Sequence, residues 1–100
     1  MNHAYMLVTF PDFLRQCAEE FLMTVEELTP HARNWTAAES AGWTEDLYEA
    51  ESPCGIIVYT QNRVWEVHDG HVGRGLTLAE ARANQVEEAK ASYEVFKAAS

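Results

Sequence analysis

The 100-residue chain predicts a single α+β domain: a helical N-terminal half, a short antiparallel β-meander at about 56–75, and a long C-terminal helix at about 78–98 packed on the sheet. Three observations carry this. Apolar residues recur at helical spacing early and late in the chain. A β-branched run, Ile56-Ile57-Val58-Tyr59-Thr60, opens a stretch with strand and turn signals in the middle. The 47% apolar content and three tryptophans supply a core, since a chain of this size buries roughly two-thirds of its unfolded surface.

The elements follow in order. Tyr5 to Phe10 is rich in β-formers and stops at Pro11, so it reads as extended. Asp12 is placed to cap a helix in which Leu14, Cys17, Ala18, Phe21, Val25 and Leu28 share a face. Thr24 and Glu27 have the spacing of a capping box, which breaks that helix near Met23 and starts another. Thr29-Pro30 restarts the helical run, and 31–42 is expected to be helical with Trp35 as its anchor. The acidic stretch 45–52 has no clear pattern.

In the centre, 56–60 is a strand, Gln61-Asn62 a turn and Val64 to His68 a second strand. Trp65 and Val67 lie on one face of it and Val64, Glu66 and His68 on the other. Asp69-Gly70 predicts a tight hairpin with positive φ at both residues. His71 to Gly75 forms a third strand weakened by Gly73 and Gly75. Thr77 and Glu80 open the last helix as a second capping box. Its stripe of Ala79, Ala83, Val86, Ala89, Tyr93 and Phe96 is expected to face the meander at close range.

Charge is the most informative functional signal. The net charge is -9, and it is lopsided: residues 1–50 hold nine acids against Arg15 and Arg33. Between Gln16 and Asn62 the one base is Arg33. Such a field repels nucleic acid and anionic membranes and attracts basic protein surfaces. Glu19 and Glu26 lie seven residues apart, as do Glu20 and Glu27, a spacing that would put each pair on one helix face. Glu45, Asp46, Glu49 and Glu51 continue the field. Trp43 and Tyr48 sit among these acids as apolar anchors of the kind found at protein interfaces, although core packing is the plainer fate of both. The plainer reading of the acids is that they keep the domain soluble.

The motifs of catalysis and cofactor binding are missing. There is no phosphate-binding glycine loop and no dinucleotide fingerprint. His68-Asp69-Gly70-His71 offers metal ligands, but no third and fourth ligand stand at metal-site spacing. Cys54, after Pro53, is a conceivable nucleophile with His68 or His71 as base, yet nothing around it has the form of an oxyanion hole. The expectation is a non-enzyme without metal or cofactor. Two cysteines make no disulfide framework, and the run from Tyr5 to Phe10 is too short for a signal or a membrane span. A cytoplasmic protein with reduced thiols is expected.

The segment 18–28, Ala18-Glu19-Glu20-Phe21-Leu22-Met23-Thr24-Val25-Glu26-Glu27-Leu28, resembles the two-helix core of helix-turn-helix repressors. Leu22 stands at the turn glycine, and Glu26 and Glu27 stand where that resemblance implies base and phosphate contacts. A helical corner without a DNA role is therefore expected. In size, charge and missing catalytic motifs the chain is similar in character to the small acidic phage and mobile-element proteins that disable CRISPR or restriction complexes, through imitation of a phosphate backbone or a steric block. The partner expected is a protein with a basic surface. A self-associating assembly module, a homodimer through the C-terminal helix and the sheet edge, is the second reading. A small thiol or metal enzyme is the third.

Overall fold

The computed structural model describes residues 8–37 and 46–99. They form an α+β domain in which an antiparallel sheet has helices on one face. The elements are α1 (Phe10–Phe21), α2 (Val25–Leu28), β1 (Ala32–Asn34), β2 (Asp46–Ser52), β3 (Gly55–Thr60), β4 (Trp65–Asp69), β5 (His71–Gly75) and α3 (Leu78–Ala99). Single 3₁₀ turns cover Thr29–His31 and Trp35–Ala37. The five strands lie in sequence order, each antiparallel to the next.

Helix α1 starts earlier than Asp12, at Phe10, because Thr9 is the cap: its Oγ1 accepts from the Asp12 amide at 3.3 Å. Phe13, Leu14, Cys17, Ala18 and Phe21 form its buried stripe. The helix ends at Leu22, whose φ of 57° is left-handed and lets the Leu22 and Met23 amides donate back to Glu19 and Ala18 carbonyls. The Thr24–Glu27 capping box then forms as the sequence implies. Thr24 Oγ1 accepts from the Glu27 amide at 3.1 Å, and Glu27 Oε1 accepts from the Thr24 amide at 3.0 Å. The helix it starts lasts a single turn.

Three expectations change at this level. The residues of 5–10 that the structure describes are not strand, and Phe10 is already helical; Tyr5 to Leu7 lie outside the described residues. The predicted helix at 31–42 is instead β1 followed by a 3₁₀ turn, with 38–42 outside the described residues. The unpatterned acidic stretch is strand β2. Both strands exist because β3 templates them: Ala50 pairs with Ile57 and Tyr48 with Tyr59, and Ala32 and Asn34 pair in turn with Ala50 and Tyr48. Between Asp46 and Tyr48 the register shifts by a bulge.

The core lies between α1 and the inward residues of the sheet. Phe13 stacks on Trp65 at 5.5 Å, Trp65 meets Tyr59 at 5.2 Å, and Tyr59 stacks on Tyr48 at 5.8 Å. Ile57, Val67 and Leu28 complete it, each almost fully buried. Such aromatic pairs each add about 0.5–1.5 kcal/mol beyond area burial.

Helix α3 lies across β4 and β5 on the same face. Gly73 makes that possible. A Cβ there would overlap the backbone of Ala81 and Gln85. The glycines read as weakening β5 are thus the groove into which α3 settles. The packed stripe is Leu78, Ala81 and Gln85, with Arg82 and Ala89 half-buried. This corrects the expected stripe: Ala79, Ala83 and Val86 face solvent. Polar contacts fix the helix in place. Gln85 Nε2 donates to the Asp69 carbonyl at 2.8 Å, and Asn84 Nδ2 donates to the Arg74 carbonyl at 2.6 Å. At the β4–β5 turn only Gly70 takes a positive φ (75°), since Asp69 already pairs with His71.

Candidate protein-binding face

The helices α1 and α3 leave the second face of the sheet to side chains that alternate outward from the core residues. In β2, Tyr48 and Ala50 point inward, so Glu49 and Glu51 point outward. The register carries one row across all five strands: Arg33, Glu49, Val58, Glu66 and Arg74. A second row runs Glu51, Ile56, His68 and Val72. Asp46, beside Thr60, adds a carboxylate at the far end of β2.

Adjacent strands lie about 4.8 Å apart and alternate residues of one strand about 6.7 Å apart. The face is therefore a grid with an apolar centre and a charged border. Val58 at the centre is only 6% exposed and stands apart from the main core cluster.

The border charges are not equivalent. Glu66 accepts from both sides, with His68 Nε2 at 2.9 Å and Arg74 Nε at 3.3 Å. Arg33, opposite Glu49, sits 5.7 Å from the centroid of the Trp35 ring. Among the described residues Glu49 and Glu51 have no ion-pair partner. Glu51 also forms part of the wall of an open pocket of about 380 Å³ at the end of β2, with Met23, His31, Ser52 and Pro53.

The structure sorts the sequence candidates. Asp46, Glu49 and Glu51 come together on the sheet face. Glu19 and Glu26 are exposed but sit on different helices, because the chain turns at Leu22; the shared helix face expected from their spacing does not exist. Glu20 is engaged inside the fold, accepting from Arg82 Nε at 2.6 Å. Glu27 is committed to the capping box, and the Thr24 hydrogen bonds hold its carboxyl below the usual range. Tyr48, an anchor candidate, is 7% exposed and belongs to the aromatic core, where burial and then Tyr59 push its phenol up. Trp43 and Glu45 lie outside the described residues.

Arg74 was not singled out from the sequence, Glu66 and Ile56–Val58 were placed in strands without a binding role, and His68 was weighed as a metal ligand or base and not as part of a binding face. Their signal is the outward half of the strand alternation, which carries across neighbouring strands only once the register is known.

His68 and His71 do not converge. His68 belongs to the outward row, whereas His71 pairs with Asp69 and so follows the inward parity. Cys54 is exposed in the β2–β3 turn, its amide donating to Ser52 Oγ at 3.0 Å. Among the described residues no group of three acidic, histidine or cysteine side chains stands at metal-binding distance, and no helix is long and apolar enough to cross a membrane.

No protein-family model matches the chain, and no curated protein or solved structure is significantly similar to it.

Proposed function

We propose that the chain is a non-catalytic cytoplasmic protein that binds a basic surface on another protein through the face of its sheet opposite α1 and α3. The observation that carries this reading is the placement of Glu49 and Glu51 on one strand, both without a described cationic partner, beside half-buried Ile56 and buried Val58 on the neighbouring strand. Apolar centres with charged borders are how stable interfaces are built: the centre gives affinity, and the border gives orientation and association rate.

The class of partner follows from the charge. With nine more acids than bases, the chain is repelled by nucleic acid directly and attracted to the Lys/Arg channels that hold nucleic acid. Occupying such a channel releases its counterions just as DNA does. The finer proposal is therefore an inhibitor of a nucleic-acid-handling protein or complex, comparable in character to phage-encoded blockers of CRISPR or restriction systems.

The test is capture from a bacterial lysate on the immobilised protein, eluted with rising salt. The proposal expects a basic nucleic-acid-binding protein that leaves as salt screens the contact, and that Asp46→Lys/Glu49→Lys/Glu51→Lys does not retain. Equal retention by that variant would refute the acidic sheet face.

A further inference from the structure

Among the described residues, the buried and half-buried side chains of α3 lie in its first part. The helix spans 22 residues, about 33 Å, yet its last buried residue is Gln85 and its last half-buried one Ala89. Beyond that point every described side chain is exposed, with Tyr93 at 62%; one turn earlier Val86 is at 38%. Val86, Ala89 and Tyr93 share one face of the helix at three- and four-residue spacing. Val86 and Tyr93 belong to the stripe that the sequence assigned to the sheet and are left exposed, while Ala89 between them is half-buried at the edge of the packed stripe. The flank of this face carries Glu87, Lys90 and Glu94, with Lys97 further on.

We infer that this face is a homodimer interface in which the outer half of α3 pairs antiparallel with the same segment of a second copy. The charge order singles out this occupant and this direction. When two copies cross antiparallel near Ser92, Lys90 comes level with Glu94 of the second copy, and two-fold symmetry makes the pair twice. The same register brings Glu87 level with Lys97 of the second copy. The two Tyr93 rings lie side by side at the axis, and Val86 and Ala89 extend the apolar contact toward each sheet. The existing Lys90–Glu87 contact at 3.6 Å, both groups some 70% exposed, is weak enough to exchange for the intermolecular pairs. The overlap stays on the outer half of each helix, so the two sheets are held apart and both outward faces remain open.

Sedimentation velocity of the full chain from micromolar to millimolar concentration tests this. The result expected is a monomer–dimer equilibrium that Tyr93→Glu abolishes. Lys90→Glu and Glu94→Lys should each weaken it about tenfold, since each replaces two attractions by two repulsions. The double variant Lys90→Glu/Glu94→Lys should restore it. All three positions of substitution are solvent-facing, and circular dichroism verifies that each variant keeps the fold. A monomer at every concentration would overturn the inference, and so would a dimer indifferent to Tyr93→Glu or unrescued by the double charge swap.

Discussion

Arg82 on α3 and Glu20 on α1 are joined by a 2.6 Å hydrogen bond that ties the last helix to the first across 62 residues of chain. The Arg82 guanidinium also donates to Asp69 at 3.2 Å and to Gln85 Oε1 at 3.0 Å. Burial opposes its charge, but Glu20 and Asp69 together hold its pKa above the ordinary value. Both partners are less than one-third exposed, so the pair is worth more than a surface ion pair. Glu20→Ala is expected to cost about 1–2 kcal/mol. Thermal denaturation should show a fall of several degrees, while binding through the sheet face is unchanged. A melting temperature equal to wild type would show that the contact adds nothing.

Gly73→Ala tests how α3 is seated. The added methyl would occupy space held by the Ala81 and Gln85 backbone, and backbone cannot move aside as a side-chain tip can. A loss of more than about 3 kcal/mol is expected, read by urea denaturation. Gly70→Ala is a milder control. Its methyl would meet nothing, and only the positive φ of 75° penalises it, by about 1 kcal/mol.

Leu22→Gly is expected to stabilise the protein. Leu22 is 93% exposed and left-handed at φ 57°, so it contributes little packing while its Cβ is strained, at about 1–2 kcal/mol. Part of that gain is offset by the greater freedom of glycine in the unfolded chain, leaving about 0.5–1 kcal/mol. The measurement is the urea midpoint, which should rise.

Cys17 sets an alkaline limit on stability. Burial, reinforced by Glu20, pushes its thiol far above the ordinary value of 9.0. Above about pH 9 the unfolded chain therefore releases a proton that the folded chain keeps. The unfolded state then binds fewer protons, and stability falls as pH rises, by up to about 1.4 kcal/mol per pH unit. The Tyr48 phenol, also raised, adds to the same trend above about pH 10. Cys17→Ala should flatten the decline between pH 9 and 10, whatever it costs at neutral pH. In the native protein a thiol reagent should modify exposed Cys54 and spare buried Cys17.

How much of this was legible depended on whether a signal was local. The capping boxes at Thr24 and Thr77 are written in four residues each, and both caps formed. The meander announced itself through β-branched runs and Asp69-Gly70. Strands β1 and β2 did not. In the segment Asp-Leu-Tyr-Glu-Ala-Glu-Ser the bulge sets Leu47 beside Tyr48 and interrupts the alternation, the residues are rich in helix formers, and the pairing with Ile57 and Tyr59 that decides it is not local to the segment. The stripe of α3 was misassigned because helical periodicity gives several apolar faces in an alanine-rich segment. The choice was made by Gly73 and by the Gln85 and Arg82 hydrogen bonds, which a helix pattern does not contain. For the candidate site, Asp46, Glu49 and Glu51 were chosen by their charge, and the register places them on one face of the sheet. Glu20, Glu27 and Tyr48 were placed with them because charge and aromaticity do not reveal whether a side chain already has a partner.

The account rests on the outward sheet face being the contact surface, and amide hydrogen exchange of the protein bound to its captured partner tests that most directly. The account predicts that added protection and shifted signals concentrate on β2, β3 and β4, around Glu49, Glu51, Val58 and Glu66, and that the outer half of α3 is unaffected by the partner. Protection confined to α1, α2 or α3, with the sheet unchanged, would contradict it.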